Sequence, residues 1–84
     1  MIPRRVDLTH AAKRDLRNLT QDDRRAILAG IDAYAEDRNT DVKKLSGVNP
    51  PRWRLRVGRF RVIFALEPGR MIVESIVNRR DAYR

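Results

Sequence analysis

A change of hydrophobic period constrains this chain more than any other feature. Across residues 52–66, Trp53, Leu55 and Val57 interleave with Arg52, Arg54 and Arg56, and Phe60, Val62, Phe64 and Leu66 interleave with Arg61, Ile63 and Ala65. A period of two sends successive side chains to opposite sides of a strand, so each segment reads as a strand with one buried and one open face. Gly58 and Arg59 separate the two segments. Two residues with glycine first suit a type II′ hairpin turn, because glycine takes positive φ at little cost. That turn dictates a register in which Val57 faces Phe60, Arg56 faces Arg61, Leu55 faces Val62 and Arg54 faces Ile63. The hairpin then has one apolar surface and one surface bearing the guanidiniums of Arg54, Arg56 and Arg61.

Upstream the period is that of a helix. After a short extended segment at residues 4–8, Thr9 occupies an N-cap position, and Ala12, Leu16 and Leu19 recur at spacings of four and three on one face. Thr20 opens a second predicted helix with Asp22 and Asp23 in its first turn, where carboxylates meet the positive end of the helix dipole. Ile27, Leu28, Ile31, Tyr34 and Ala35 form its apolar stripe. Asn39, Thr40 and Asp41 close that helix, and residues 43–51, with Gly47 and the Pro50-Pro51 pair, read as a loop. Downstream, Pro68-Gly69 is a second turn leading into a third strand at 71–77. Pairing through that turn sets Val73 near Phe64 and Val77 near Phe60, and sets Ile72 and Ile76 beside Ile63 and Ala65 on the arginine face. The expected fold class is α+β, with an N-terminal short strand and a two-helix hairpin packed on a small, mainly antiparallel, strongly twisted sheet. At 84 residues the chain has room for a single domain, 1–84.

Charge is segregated along the chain. Residues 1–42 carry eight cations and eight acids, whereas 43–84 carry eleven cations against Glu67, Glu74 and Asp81, so the whole +8 excess lies in the second half. Sixteen of the nineteen cations are arginines. A polyanion or an acidic protein is the natural partner for such a surface. Arg56 directly opposite Arg61 costs up to ~1 kcal/mol of sheet stability unless an anion lies between them. A local rule broken in this way points to function. Trp53 shares the parity of the apolar set and reads as core.

Absent residue types remove several chemistries. The chain has no cysteine and a single histidine, His10, which leaves no thiolate nucleophile, disulfide framework, thiolate-bound metal or multi-histidine site, so neither a metal nor another cofactor is expected. His10 itself reads as a surface or cap residue. The longest apolar run, residues 62–66, is far short of the ~20 residues of a membrane span. Arg4-Arg5 is not followed by a signal-peptide apolar region, and a soluble cytoplasmic protein without membrane partners is the expectation.

Three elements together resemble the RelE family within the RelE/ParE toxin superfamily. They are Lys43-Lys44-Leu45-Ser46-Gly47, the hairpin from Trp53 to Phe64, and the closing Asn78-Arg79-Arg80-Asp81-Ala82-Tyr83. The resemblance covers essentially the whole chain. It implies a toxin of a type II toxin-antitoxin pair that enters the ribosomal A site and cleaves mRNA, with a cognate antitoxin, acidic and helix-prone in its C-terminal half, as its second partner. Arg54 and Arg56 fall where RelE enzymes carry a pair of lysines, Arg61 matches the family arginine of the next strand, and Arg79 or Arg80 matches that of the C-terminal motif. Tyr83 fits the tyrosine that stacks on or orients the cleaved nucleotide, while Asn78 stands where many relatives have His or Lys.

The chemistry of these residues suits phosphate. Metal-free cleavage needs a 2′-hydroxyl deprotonated, a dianionic phosphorane stabilised and a 5′-oxygen protonated. Guanidinium forks bind phosphate oxygens bidentately and stabilise that charge, but arginine, with a pKa above ~12, is a poor base. Arg54, Arg56, Arg61 and Arg79 are therefore expected to hold the scissile phosphate, with Tyr83 stacking on a base or assisting the 2′-OH. Lys43, Lys44, Arg52, Arg59, Arg80 and Arg84 are expected to contact RNA around it. ParE-type proteins share the helical hairpin and strand pair yet poison DNA gyrase without cutting RNA, and they remain the alternative.

Overall fold

The computed structural model of the chain describes residues 4–78. In chain order these form β1 (Arg5–Leu8), α1 (His10–Arg17), α2 (Gln21–Ala35), β2 (Val42–Lys44), β3 (Trp53–Val57), β4 (Phe60–Glu67) and β5 (Arg70–Asn78). Both helices begin where the sequence puts their caps. Thr9 Oγ1 accepts from the Ala12 N–H and Thr20 Oγ1 from the Asp23 N–H, each at 3.1 Å, which satisfies one otherwise orphaned donor per helix. Arg24 locks the junction between them, donating from Nε to Leu16 O at 3.1 Å and from Nη2 to Leu19 O at 3.0 Å. α2 ends at Ala35, before the residues expected to close it. Asp37 takes φ 61°, its N–H donates to Tyr34 O and the Arg38 N–H donates to Ala33 O, a Schellman closure with Asp where glycine is usual.

The five strands form one open sheet in the order β1-β5-β4-β3-β2, with β1 parallel to β5 and every other neighbour antiparallel. The β3–β4 register is the one the turn dictates, with Val57 opposite Phe60 and Arg56 opposite Arg61, and Gly58 has φ 55°. One face of the sheet carries Leu55, Phe60, Val62, Phe64, Met71, Val73 and Ile76, all buried against Ala12, Leu16, Ile27 and Ile31 of the helices. At the centre, the Phe64 ring lies 5.1 Å from the Tyr34 ring and 6.4 Å from the Trp53 ring, so Trp53 belongs to the core margin as expected. Gly30 lets α2 approach β3: a Cβ there would stand 2.7 Å from Val57 Cγ2.

Two expectations require correction. Lys43 and Lys44, expected to open the loop, belong with Val42 to a strand, in which Val42, Lys43 and Lys44 lie opposite Leu55, Arg54 and Trp53. Three residues, two of them exposed lysines, leave no periodic signal, and a short lysine-bearing strand is how an exposed sheet edge is kept from pairing further. The second correction lies in β5. Val73 is opposite Phe64, but Ser75 is opposite Ile63, which leaves Glu74 as an extra, bulged residue. The slip turns Ile76 onto the helix face opposite Val62 and puts Val77 opposite Arg61, the reverse of the expected faces for both. The bulge is stabilised from α1. Thr9 N–H donates to Val73 O at 2.9 Å, Thr9 Oγ1 to Glu74 O at 3.0 Å, and Ile76 N–H to Asp15 Oδ2 at 3.0 Å. Where β1 stops at Leu8, the start of α1 thus takes over the hydrogen bonds of the β5 edge.

Candidate functional site

The helices cover one face of the sheet; the other carries the arginines. Strand alternation and register arrange that open face in rows. Asp41, Arg56, Arg61 and Val77 form the first row, the Arg56 N–H donating to Asp41 O at 2.9 Å. Lys43, Arg54, Ile63 and Ser75 form the next, and Ala65 with Ile72 follows. Side chains facing each other across a ladder have Cβ atoms ~4.5–5.5 Å apart, so Lys43 neighbours Arg54 and Arg56 neighbours Arg61, the two pairs lying in adjacent rows. The half-buried Ile63, Ala65, Ile72 and Val77 lie beside them.

These cations are not equivalent. The Arg54 side chain is only 17% exposed, and its Nη1 lies 3.3 Å from Asp41 Oδ1. Arg61 is half-buried between Arg56 and Val77. Arg56 and Lys43 are exposed and make no ion pair among the described residues. Of the flanking residues assigned to RNA, Lys43 alone joins this group. Arg52 is held on the same face by Glu74 and by the Pro51 carbonyl at 2.9 Å. Arg59 turns to the helical layer, donating to Asp23 Oδ2 at 3.0 Å with its guanidinium 5.1 Å from the Phe60 ring centre. Lys44 lies on the helix side of the sheet, its Nζ 5.8 Å from the Trp53 ring. Arg79, Arg80, Tyr83 and Arg84 lie outside the described residues. Asn78, the last described residue, pairs with Phe60, one register step from Arg61.

The opposite corner of the open face is charged but internally satisfied. Arg70 Nε donates to Asp7 Oδ2 at 2.6 Å and Nη1 to Glu67 Oε1 at 2.9 Å, while Arg5 Nε donates to Asp7 Oδ1 at 3.3 Å. The hydrogen bond from Arg70, aided by the charge of Arg5 and opposed by partial desolvation, holds the Asp7 carboxyl below the ordinary aspartate range. The same hydrogen bond raises the already high value of Arg70.

The sheet thus offers one corner able to accept an anion and one already neutralised. Asp41 and Glu74 were not singled out from sequence. Asp41 has the parity of Lys43 and would have been placed beside it had β2 been visible; Glu74 reaches Arg52 from a bulge that leaves no sequence mark. Among the described residues no three His, Cys, Asp or Glu side chains cluster to hold a metal ion, and no helix is long and apolar enough to cross a membrane.

No protein-family model matches the sequence, and no curated protein matches it. Solved structures do match. A chain of the RelB-RelE antitoxin-toxin complex from Methanococcus jannaschii is 20% identical with a TM-score of 0.75, over 92% of this chain and 94% of that one. For the RelE-RelB complex of Pyrococcus horikoshii OT3 the values are 23%, 0.76, 94% and 97%. For the toxin-antitoxin complex RelBE2 of Mycobacterium tuberculosis they are 18%, 0.79, 93% and 93%. At these identities the likeness is one of fold, and the fold is that of RelE-like toxins.

Proposed function

We propose that this RelE-fold chain is the toxin of a type II toxin-antitoxin pair and that it acts as an endoribonuclease cutting mRNA on the ribosome. The observation that carries the reading is the row structure of the open face, where Arg54, Arg56 and Arg61 stand on adjacent strands with Lys43 beside them. The fold shared with chains of RelE-RelB complexes supports a cognate antitoxin as partner. The basic corner suits an acidic segment of it as well as RNA.

In the proposed reaction the 2′-hydroxyl of one nucleotide loses its proton, its oxygen bonds to the adjacent phosphorus, and the bond to the 5′-oxygen of the next nucleotide breaks. The leaving oxygen takes up a proton, giving a 2′,3′-cyclic phosphate and a 5′-hydroxyl. Arg56 and Arg61 face each other across the β3–β4 ladder, close enough to grip one phosphate from two sides, and Arg54 approaches from the next row. Charge developing on the phosphorane is stabilised by these cations, the only contribution guanidiniums can make well. Arg79 is assigned to the same phosphate and Tyr83 to the base or the 2′-OH from the sequence pattern. With no strong base in this set, positioning of the mRNA by the ribosome supplies much of the rate, and free RNA is cut slowly. This substrate sets the site of action in the cytoplasm.

Primer extension on mRNA from a translating extract tests the reading. New 5′ ends within the reading frame that appear with the protein and vanish with Arg61→Ala are expected. Intact mRNA accompanied by gyrase-dependent DNA breaks would overturn it in favour of a gyrase poison.

A further inference from the structure

An acid stands inside the basic corner. Asp41 precedes β2, but its carbonyl accepts the Arg56 N–H at 2.9 Å, which pins it in register opposite Arg56. Its carboxylate therefore projects onto the open face, where Oδ1 lies 3.3 Å from Arg54 Nη1. Lys43 shares that face two residues along, directly opposite Arg54. The Asp41 side chain is 57% exposed and that of Arg54 17% exposed, so the acid is the more open to solvent of the two. A phosphate that binds Arg54 has to share its guanidinium with this carboxylate or displace it.

We infer that Asp41 is a built-in competitor for the phosphate, its carboxylate engaging the Arg54 guanidinium in the free protein and lowering the affinity of the basic corner for loose RNA. The inference rests on the proposed function and adds a specificity-determining residue to that site. A single 3.3 Å contact to an acid that is 57% exposed contributes little to stability, so Asp41 is poorly accounted for as a structural clamp. Its effect on an incoming anion does not depend on that pair being strong. One negative charge about 5 Å from a phosphate, in a water-rich surround, weakens binding by about three- to tenfold. A phosphate held in place, as on a ribosome, overcomes that handicap through effective concentration, whereas a freely diffusing strand does not. Asp41 would in this way favour presented substrate over the general RNA pool.

The test compares Asp41→Asn with Asp32→Asn, which removes the same charge from an exposed position on α2 that makes no ion pair among the described residues. Asparagine at 41 keeps the backbone carbonyl that holds the register. The probe is a fluorescein-labelled twelve-residue oligouridylate titrated by anisotropy across a range of salt concentrations. Asp41→Asn is expected to bind about three- to tenfold tighter than wild type at low salt, with a salt slope steeper by about 0.7, the value of one further phosphate contact on a single strand. Asp32→Asn is expected to change affinity less than about twofold once the salt reaches about 0.1 M, where the Debye length is ~10 Å and α2, packed on the other face of the sheet, is screened from the basic corner. Equal gains in the two variants would overturn the inference, because net charge alone would then account for them. A loss of affinity in Asp41→Asn would also overturn it and make Asp41 a support for Arg54. The readout is separable from cleavage: a protein that shows the gain but never cuts mRNA keeps this competitor and loses the nuclease, and one that cuts mRNA without the gain does the reverse.

Discussion

The two faces of the β3–β4 hairpin are written in one alternating stretch, yet they answer to different physics. On the closed face, Leu55, Val62 and Phe64 are almost wholly removed from water and packed against Ile27 and Ile31. On the open face, Arg54, Arg56 and Arg61 crowd like charges at neighbouring positions, an arrangement that costs stability when no anion is present. A second contrast divides the open face itself. Around Asp7 and Arg70 each cation has its acid, and that corner has little left to offer a ligand. The hairpin corner is under-neutralised. The difference teaches that stability and ligand binding are carried by separate side chains of the same strands, so each can be broken without the other.

The largest expected effect is on the closed face. Phe64→Ala removes the ring between Tyr34 and Trp53 and should cost about 3–5 kcal/mol in urea unfolding, a large part of what a domain this small possesses. On the open face, Arg61→Ala should lower mRNA cleavage by roughly a hundred- to a thousandfold in a translating extract, with a smaller change in the urea midpoint than Phe64→Ala shows. Arg70→Ala should leave cleavage within about twofold, since its guanidinium is already committed to Asp7 and Glu67. An equal loss of cleavage in Arg70→Ala would erase the contrast between the corners. Gly30→Ala sharpens the separation of faces from the other side. Its Cβ meets Val57 Cγ2 at 2.7 Å, so unfolding should show a cost of about 1–3 kcal/mol, with cleavage per folded molecule unchanged.

Acid provides a smaller test of the neutralised corner. The folded-state pKa of Asp7 lies below its unfolded value, so the stability it contributes is fully present above the ordinary aspartate pKa of about 4 and is lost as pH falls through the lowered value. Wild type should therefore lose more of its urea midpoint between pH 7 and pH 3 than Asp7→Asn does. Equal losses would show that the Arg70 hydrogen bond does not outlast crowding by solvent.

How far the sequence could be read follows from the strength of each local signal. The hairpin register was legible because alternation and a glycine-led two-residue turn agree on it, and Arg56 opposite Arg61 came with it. Thr9 and Thr20 were legible as caps because each precedes a helical stripe. β2 was hidden, since Val42, Lys43 and Lys44 are a strand only by virtue of β3 beside them. The Glu74 bulge was hidden for a related reason: it depends on Thr9 and Asp15, more than fifty residues earlier in the chain, and no pattern within β5 announces it. With these two elements went two acids of the open face, Asp41 beside Arg54 and Glu74 beside Arg52. Local chemistry was thus readable wherever it was determined by neighbours in sequence, and unreadable where tertiary partners decided it.

The claim on which the rest depends is that the hairpin corner of the open face, and not the Asp7 corner, receives the phosphate. Arginine Nε–Hε correlations recorded by NMR during titration with a short oligoribonucleotide at low salt test it most directly. The resonances of Arg54, Arg56 and Arg61 should shift together and saturably, while those of Arg5 and Arg70 stay in place. Shifts spread evenly over all five, or concentrated at Arg70, would contradict it.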